Sequence, residues 1–542
     1  MELLYLLSLL SSCCLLMVKA EDPYRFFTLN ITYGEAWPLG THRTVILVNG
    51  QFPGPVIDCV TNDNIVVNIF NNLEKPLLLT WNGIKQRKNS WQDGVLGTNC
   101  PILPNTNFTY KFQTKDQIGS YTYFLSTGMQ KAVGGYGAFN VMARPRIPVP
   151  YLLPYVNVSL LIGDWYEKTH KELEQTLDQG KTLPPPVAIL MNGQQQLNFT
   201  VEKGKTYMFR ISNVGLATSI NIGIQGHKMK LVEVEGSHVV QAMFESLDIY
   251  VGQTVCVLVT MDQESPNDYY LLASSTFTTN KILYTAARLR YENSPVHGLV
   301  GPLPSALNGD VSWSMKQAKS IRWDPKANAA RPNPQGSFHY GNRTLNRTIT
   351  LENTAHVLDK KQRYAVNNIS YLNPETPLKL ADNLSIDGVF NLGFPQNVSS
   401  ERSLKRGTYV LEASLHEFIE IVFINNEDTL QTWHLDGYDF FVVGMGQGKW
   451  TPASKNGKDA YNLVNALTRH TVQVFPGCWT ATYVSLDNQG MWNLRSAMWE
   501  RQYLGQQFYL KVFGEISPDN EYIPTLKETI LCGKAKHYGT SN

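Results

Sequence analysis

Strand-length apolar runs, broken by Gly, Pro or Asn, recur along almost all of this chain and leave little room for long helices. Thr44-Val45-Ile46-Leu47-Val48, Ile65-Val66-Val67-Asn68-Ile69-Phe70, Thr206-Tyr207-Met208-Phe209-Arg210-Ile211 and Phe418-Ile419-Glu420-Ile421-Val422-Phe423 are representative. Successive side chains of a strand point to opposite faces, so short apolar alternation separated by turn residues is the pattern of β-sandwiches. Helical periodicity is confined to Glu167–Asp178 and the last turns around Ser496–Tyr503. At roughly 150 residues per domain, 542 residues suggest three or four domains, each able to bury a core.

Internal repeats favour three. Val48-Asn49-Gly50-Gln51 opens one block and Met191-Asn192-Gly193-Gln194 another. A third block, Ile419–Asn426 followed by Thr432-Trp433-His434, mirrors Ile65–Asn72 followed by Thr80-Trp81-Asn82. Ala143–Pro154 is proline-rich, and residues 292–341 are rich in Pro, Asn and Ser with little apolar periodicity. The expected division is therefore a signal peptide at 1–20, domains at 21–145, 150–291 and 342–542, and a linker at 292–341.

Leu3–Val18 is nearly all apolar and ends in Val18-Lys19-Ala20 before Glu21-Asp22, the pattern of a cleaved secretory signal, although Glu2 stands where a positive charge is usual. Sequons begin at Asn30, Asn107, Asn157, Asn198, Asn342, Asn346, Asn368, Asn383 and Asn397, which fits the secretory route. Past residue 20 no apolar run is long enough to cross a membrane, so no membrane span is expected. A net charge of +2 gives no electrostatic reason to expect nucleic acid. With Cys13 and Cys14 removed in the signal, Cys59, Cys100, Cys256, Cys478 and Cys532 remain, an odd count that leaves at least one free thiol.

Val48-Asn49-Gly50-Gln51-Phe52-Pro53-Gly54-Pro55, Trp91-Gln92-Asp93-Gly94, Gly128-Met129-Gln130, Gly134-Gly135-Tyr136-Gly137, Asp164-Trp165 and Phe475-Pro476-Gly477-Cys478-Trp479-Thr480 occur in an order that resembles plant multicopper oxidases of the ascorbate oxidase branch. The resemblance covers nearly the whole mature chain. It implies an all-β fold of three cupredoxin-like Greek-key β-sandwich domains, a mononuclear copper that collects electrons and a trinuclear cluster that passes them to dioxygen. It also implies a disulfide between Cys100 and Cys532.

The same resemblance places the copper ligands, and this chain departs from the pattern at nearly all of them. Where relatives carry His-Trp-His-Gly, it has Thr80-Trp81-Asn82-Gly83; where they carry His-x-His, Phe124 and Ser126 stand. His-Pro-x-His-x-His-Gly corresponds to Gln431-Thr432-Trp433-His434-Leu435-Asp436-Gly437, and His-Cys-His with its later His and axial Met to Arg495-Ser496-Ala497, Arg501 and Gln506. His434 alone keeps the family residue. Ser496 lacks the thiolate of a blue-copper site, and Arg495 and Arg501 would repel a cation at short range.

This pattern is similar to a plant subgroup that includes pollen-specific secreted glycoproteins and proteins of directional cell growth. The expected function is a non-catalytic extracellular role in the cell wall, with no cofactor; the alternative is an oxidoreductase using residual copper near His434. A third reading, a carbohydrate-modifying enzyme, would draw on Asp436 and Glu500. Arg495, Arg501, Asp436 and Asn82 are expected to converge where the cluster would sit, forming either a self-satisfied polar network or a site for a small anion or acidic sugar. Wall polysaccharide is the other partner expected. His227 and His238 are not expected to form a metal site.

Overall fold

The computed structural model describes residues 23–263, 267–292, 309–324, 339–398, 403–453, 456–515 and 517–539. The signal-peptide reading at 1–20 lies outside the described residues.

Six sheets pack as three facing pairs, and the pairs repeat one strand plan. In each first sheet the opening strand runs parallel to a later one: Tyr24–Ala36 beside Asn64–Asn71, Val156–Trp165 beside Thr206–Asn213, and Arg347–Leu358 beside Phe418–Asn425. In each second sheet the first strand runs parallel to the last: Ile57–Val60 beside Tyr136–Met142, Gln196–Val201 beside Tyr284–Tyr291, and Val410–Ser414 beside Gln507–Phe513. Parallel neighbours cannot be joined by a hairpin, so the chain must cross between sheets, which is the Greek-key connection. The all-β expectation therefore holds.

Each core lies between its two sheets. Ile65, Val67 and Ile69 face Trp81, Tyr123 and Phe139 in the first; Phe209, Ile211 and Val257 meet Ile222, Leu271 and Leu289 in the second; Ile421, Phe423 and Val484 meet Trp433, Leu494 and Leu510 in the third. Asn64–Asn71 alternates buried positions with half-buried or exposed ones, as a sheet covered on one face requires. Cys478–Ser485 is buried on both faces, because Tyr340, Phe441, Trp479 and Tyr483 form a second apolar layer behind it.

The two Asn-Gly repeats are tight turns closed between Val48 and Gln51 and between Met191 and Gln194, with Asn49, Gly50, Asn192 and Gly193 all at positive φ. A third copy exists at Val366-Asn367-Asn368-Ile369, with Asn367 at φ 49° and Asn368 at φ 63°. Asn replaces the left-handed Gly there, which hid the repeat in the sequence. Asn368 also begins a sequon, but it is buried in this turn, whereas the other eight sequon asparagines are exposed.

Short helices link the sandwiches, among them Leu378–Asn383, whose Leu380 packs with Trp91 and Cys100 of the first. His170–Asp178, opened by a Thr169/Glu172 capping box, buries Leu173 and Leu177 in the core of the first sandwich, and Trp499 and Leu504 at the helix Trp499–Tyr503 enter the same core. The stretch 292–341 read as linker contains a further helix, Val311–Ser320, whose start is capped by Asp310 accepting from Ser312 N at 2.8 Å. Its apolar stripe is short, Val311, Met315 and Ala318 half-buried against the third core beside the buried Ser314, and the Pro, Asn and Ser around it hid it in the sequence. The rest of that stretch lies largely outside the described residues.

Candidate functional site

Strand alternation sorts the candidate residues into two groups. Gln431–Leu435 pairs with Gly490–Ser496 so that Trp433 opposes Ser496 and His434 opposes Arg495. Residues directly opposite share a face. His434, Asp436 and Arg495 therefore project to one side, while Gln431 and Ser496 lie on the other.

On the first side the groups form one buried network. His434 Nε2 meets Asp436 Oδ1 at 2.8 Å and its Nδ1 meets Thr471 Oγ1 at 2.8 Å. Arg495 Nη1 donates to Asp436 Oδ2 and, at 3.3 Å, to Asn493 Oδ1. A residue that the sequence reading did not single out, His470, sits edge-on to His434 at 5.2 Å, with its Nδ1 3.0 Å from Thr471 Oγ1. Glu235 fixes that strand by accepting from the backbone N–H groups of His470 and Thr471 at 2.7 and 3.0 Å, and it pairs with Arg469. Gly83, at φ +89°, has to be glycine, since a Cβ would lie 2.5 Å from the His470 ring. Asn82 Nδ2 donates to Gly252 O at 3.4 Å.

Asp93, from the Trp91-Gln92-Asp93-Gly94 turn, completes the network. Burial and the neighbouring Asp436 push its carboxyl well above the usual range, which favours its neutral form. Burial works to raise Asp436 as well, but the Arg495 guanidinium and the His434 bond outweigh it and keep Asp436 ionised. Thr80 Oγ1, both Asp93 oxygens, His470 Nε2 and Arg495 Nη2 have no partner among the described residues.

On the second side the ligand positions bond to one another. Gln506 Nε2 donates to Gln431 Oε1 at 3.0 Å, and Arg501 Nη1 donates to Gln506 Oε1 at 3.2 Å. Arg501 also forms a fork on Glu427, with bonds of 3.2 and 2.5 Å, and lies 4.3 Å over the Tyr364 ring. The four residues expected to converge therefore do not: Arg501, on the helix Trp499–Tyr503, belongs to this second group, where Glu427 and Gln506 hold it. Ser496 Oγ accepts from Met498 N at 3.2 Å, and Ala497 N donates to Thr432 O.

At the remaining positions Phe124 packs edge-on against Trp499 at 5.3 Å, and Ser126 Oγ donates to Gly94 O at 2.6 Å. Glu500 is engaged by Tyr364 and Leu183 N rather than paired with Asp436. His227 bonds Tyr291 and Gln225 O, while His238 stands 3.7 Å from Glu233. Among the described residues no cluster of three His, Cys, Asp or Glu is placed to hold a metal ion. Cys100 and Cys532 form a disulfide, and Cys59, Cys256 and Cys478 are free and buried. Burial pushes Cys59 and Cys256 up to about 12 and Cys478 to about 11, which leaves these thiols unreactive.

A pH dependence follows from the histidine pair. Burial first, then positive neighbours, lowers His434 and His470 from 6.5 to about 4, so both are neutral in the fold. A group whose folded pKa is depressed contributes stability above its unfolded pKa and loses it as pH falls through the folded one. The melting temperature should therefore fall between about pH 6.5 and 4, and His470→Gln should flatten that slope. A melt insensitive to pH over that range, or an unchanged slope in the variant, contradicts the assignment.

Family models described as multicopper oxidase match residues 30–146, 157–294 and 375–516. An L-ascorbate oxidase homolog from Brassica napus is 49% identical over 97% of this chain and 96% of its own. Monocopper oxidase-like protein SKU5 from Arabidopsis thaliana is 45% identical, covering 92% and 87%, and an L-ascorbate oxidase from Cucurbita pepo var. melopepo is 27% identical, covering 92% and 95%. Among solved structures, the multicopper oxidase Fet3p, which functions in iron import, superposes with a TM-score of 0.74 at 20% identity, covering 90% of each chain. The Botrytis aclada laccase does so at 0.74 and 21%, covering 94% and 91%.

Proposed function

The chain belongs to the multicopper oxidase family, and from that premise we propose that it is a secreted cell-wall glycoprotein that acts by binding, its copper sites having been replaced by buried polar networks. The observation that carries this reading is the engagement of the ligand positions by one another. Both nitrogens of His434 are already bonded, and the nearest charge to Asp436 is a guanidinium.

A copper ion at His434 would have to break the bond to Asp436 or to Thr471 and sit beside Arg495, where cation–cation repulsion in a buried setting is severe. The mononuclear position offers two amides, a hydroxyl and a guanidinium, none of them the imidazole or thiolate that suits copper. The donors present do not fit the family's metal centres. The eight exposed sequons support passage through the secretory pathway. A role in wall expansion or pollen-tube growth is the physiological setting that this reading takes from its resemblance to the pollen-specific and directional-growth subgroup.

The name of the Arabidopsis relative, monocopper oxidase-like protein SKU5, favours the second reading, an oxidoreductase with one copper near His434. Metal analysis of secreted protein, loaded with copper and then dialysed, separates the two. The binding reading expects no stoichiometric copper. One copper per chain, lost in His434→Ala, overturns it.

A further inference from the structure

We propose that the groove formed where the two Asn-Gly turns meet is a binding site for an uncharged hexose polymer, a proposal that gives the wall-binding reading above its ligand class. The turns at Asn49-Gly50 and Asn192-Gly193 come from different sandwiches, and they abut: a Cβ on Gly193 would lie 2.9 Å from the Phe52 ring and 3.0 Å from Pro53 Cδ. Phe52 is itself wedged near Trp165 and Tyr136, with ring centroids 5.8 and 6.3 Å away, so the floor of the groove is fixed. The groove has a volume of about 640 Å³, within the range of small-molecule sites.

Its lining combines the two elements a sugar chain needs. Trp37 is 59% exposed, unusual for so large an apolar side chain, and is braced edge-on by His42 at 5.7 Å. A flat aromatic face held in water is a platform for the C–H face of a pyranose ring. Gln194, Gln195 and Gln196 are consecutive and exposed along the same groove, and each amide can donate and accept with ring hydroxyls.

Charge selects the class. Glu35 is the only ionisable residue in the lining, and it is paired with His42 at 3.1 Å; no Lys or Arg contributes. A polyuronate would meet a carboxylate and no cation, whereas a neutral glucan brings no charge against Glu35 and can use both the Trp37 face and the glutamine amides. The two guanidiniums of the candidate site are buried and ion-paired, so they offer no competing surface for an acidic sugar.

Binding of cellohexaose and of an oligogalacturonate of similar length to the secreted full chain, followed by titration calorimetry and tryptophan fluorescence, tests the proposal. The expected result is binding of the neutral oligomer, at least tenfold weaker in Trp37→Ala at an unchanged melting temperature, with Trp37→Phe intermediate. Unchanged affinity in Trp37→Ala overturns the groove while leaving wall binding by another surface standing. Binding of the oligogalacturonate alone, or of neither oligomer, overturns the ligand class. Stoichiometric copper in the same preparation would sink the non-oxidase reading without touching the groove.

Discussion

Replacing Cys100 and Cys532 together by Ser is expected to cost about 3–5 kcal/mol and to release the C-terminal segment from the first sandwich. The bridge closes a loop spanning 432 residues, and the denatured-state entropy removed by a cross-link grows with loop length. Residues 517–539 contain no strand, so few backbone bonds would hold them once the bridge is gone. The contacts that remain include the Lys379–Glu521 pair at 2.6 Å, the bond from Tyr522 N to Lys88 O, the bonds of Lys534 to Thr376 and Asp387 O, and the packing of Ile530, Leu531 and Ala535 near Trp91 and Leu380. Trp91 belongs to the turn that carries Asp93, so the loosening should reach the buried network. Thermal melting and limited proteolysis check the expectation: a lower melting temperature with early cleavage in 517–539 supports it. An unchanged melt would mean that packing alone holds the chain end.

The strands were legible because a sheet covered on one face writes itself as period two, and the disulfide because the resemblance aligns two cysteines. The parallel pairings were not, since Arg347–Leu358 and Phe418–Asn425 carry no mark of which neighbour each will choose. The site was legible as a set of positions and illegible as a set of partners. Glu427, which takes the Arg501 guanidinium, lies 74 residues away and in no motif, and Glu235, which holds His470 in place, lies in a different sandwich. His470 itself could have been flagged by the Arg469-His470-Thr471 run ahead of an apolar strand, where three polar residues in sequence must put at least one side chain inward.

The second large effect concerns the pair Asp436–Arg495. Both side chains are 2% exposed, so each charge is costly to hold without the other. Asp436→Asn leaves the guanidinium buried beside an amide and should destabilise by about 3–5 kcal/mol, the range for breaking one half of a buried ion pair. Arg495→Met should cost less, because burial and the neighbouring Asp93 carboxyl favour a neutral Asp436 once the cation has gone, so a proton can take the place of the lost charge. The double variant Asp436→Asn, Arg495→Met removes both charges and should recover much of the loss, so the two single effects will not add. Denaturant unfolding of the four proteins measures the coupling. Additive losses would show that the guanidinium and the carboxylate are stabilised by other groups. Cupric ion added to each protein provides an independent reading, because a metal that binds only the folded state raises the melting temperature. The wild type should not respond, since Arg495 occupies the region with a fixed positive charge. A copper-dependent rise confined to Arg495→Met would show that the guanidinium is what keeps the metal out.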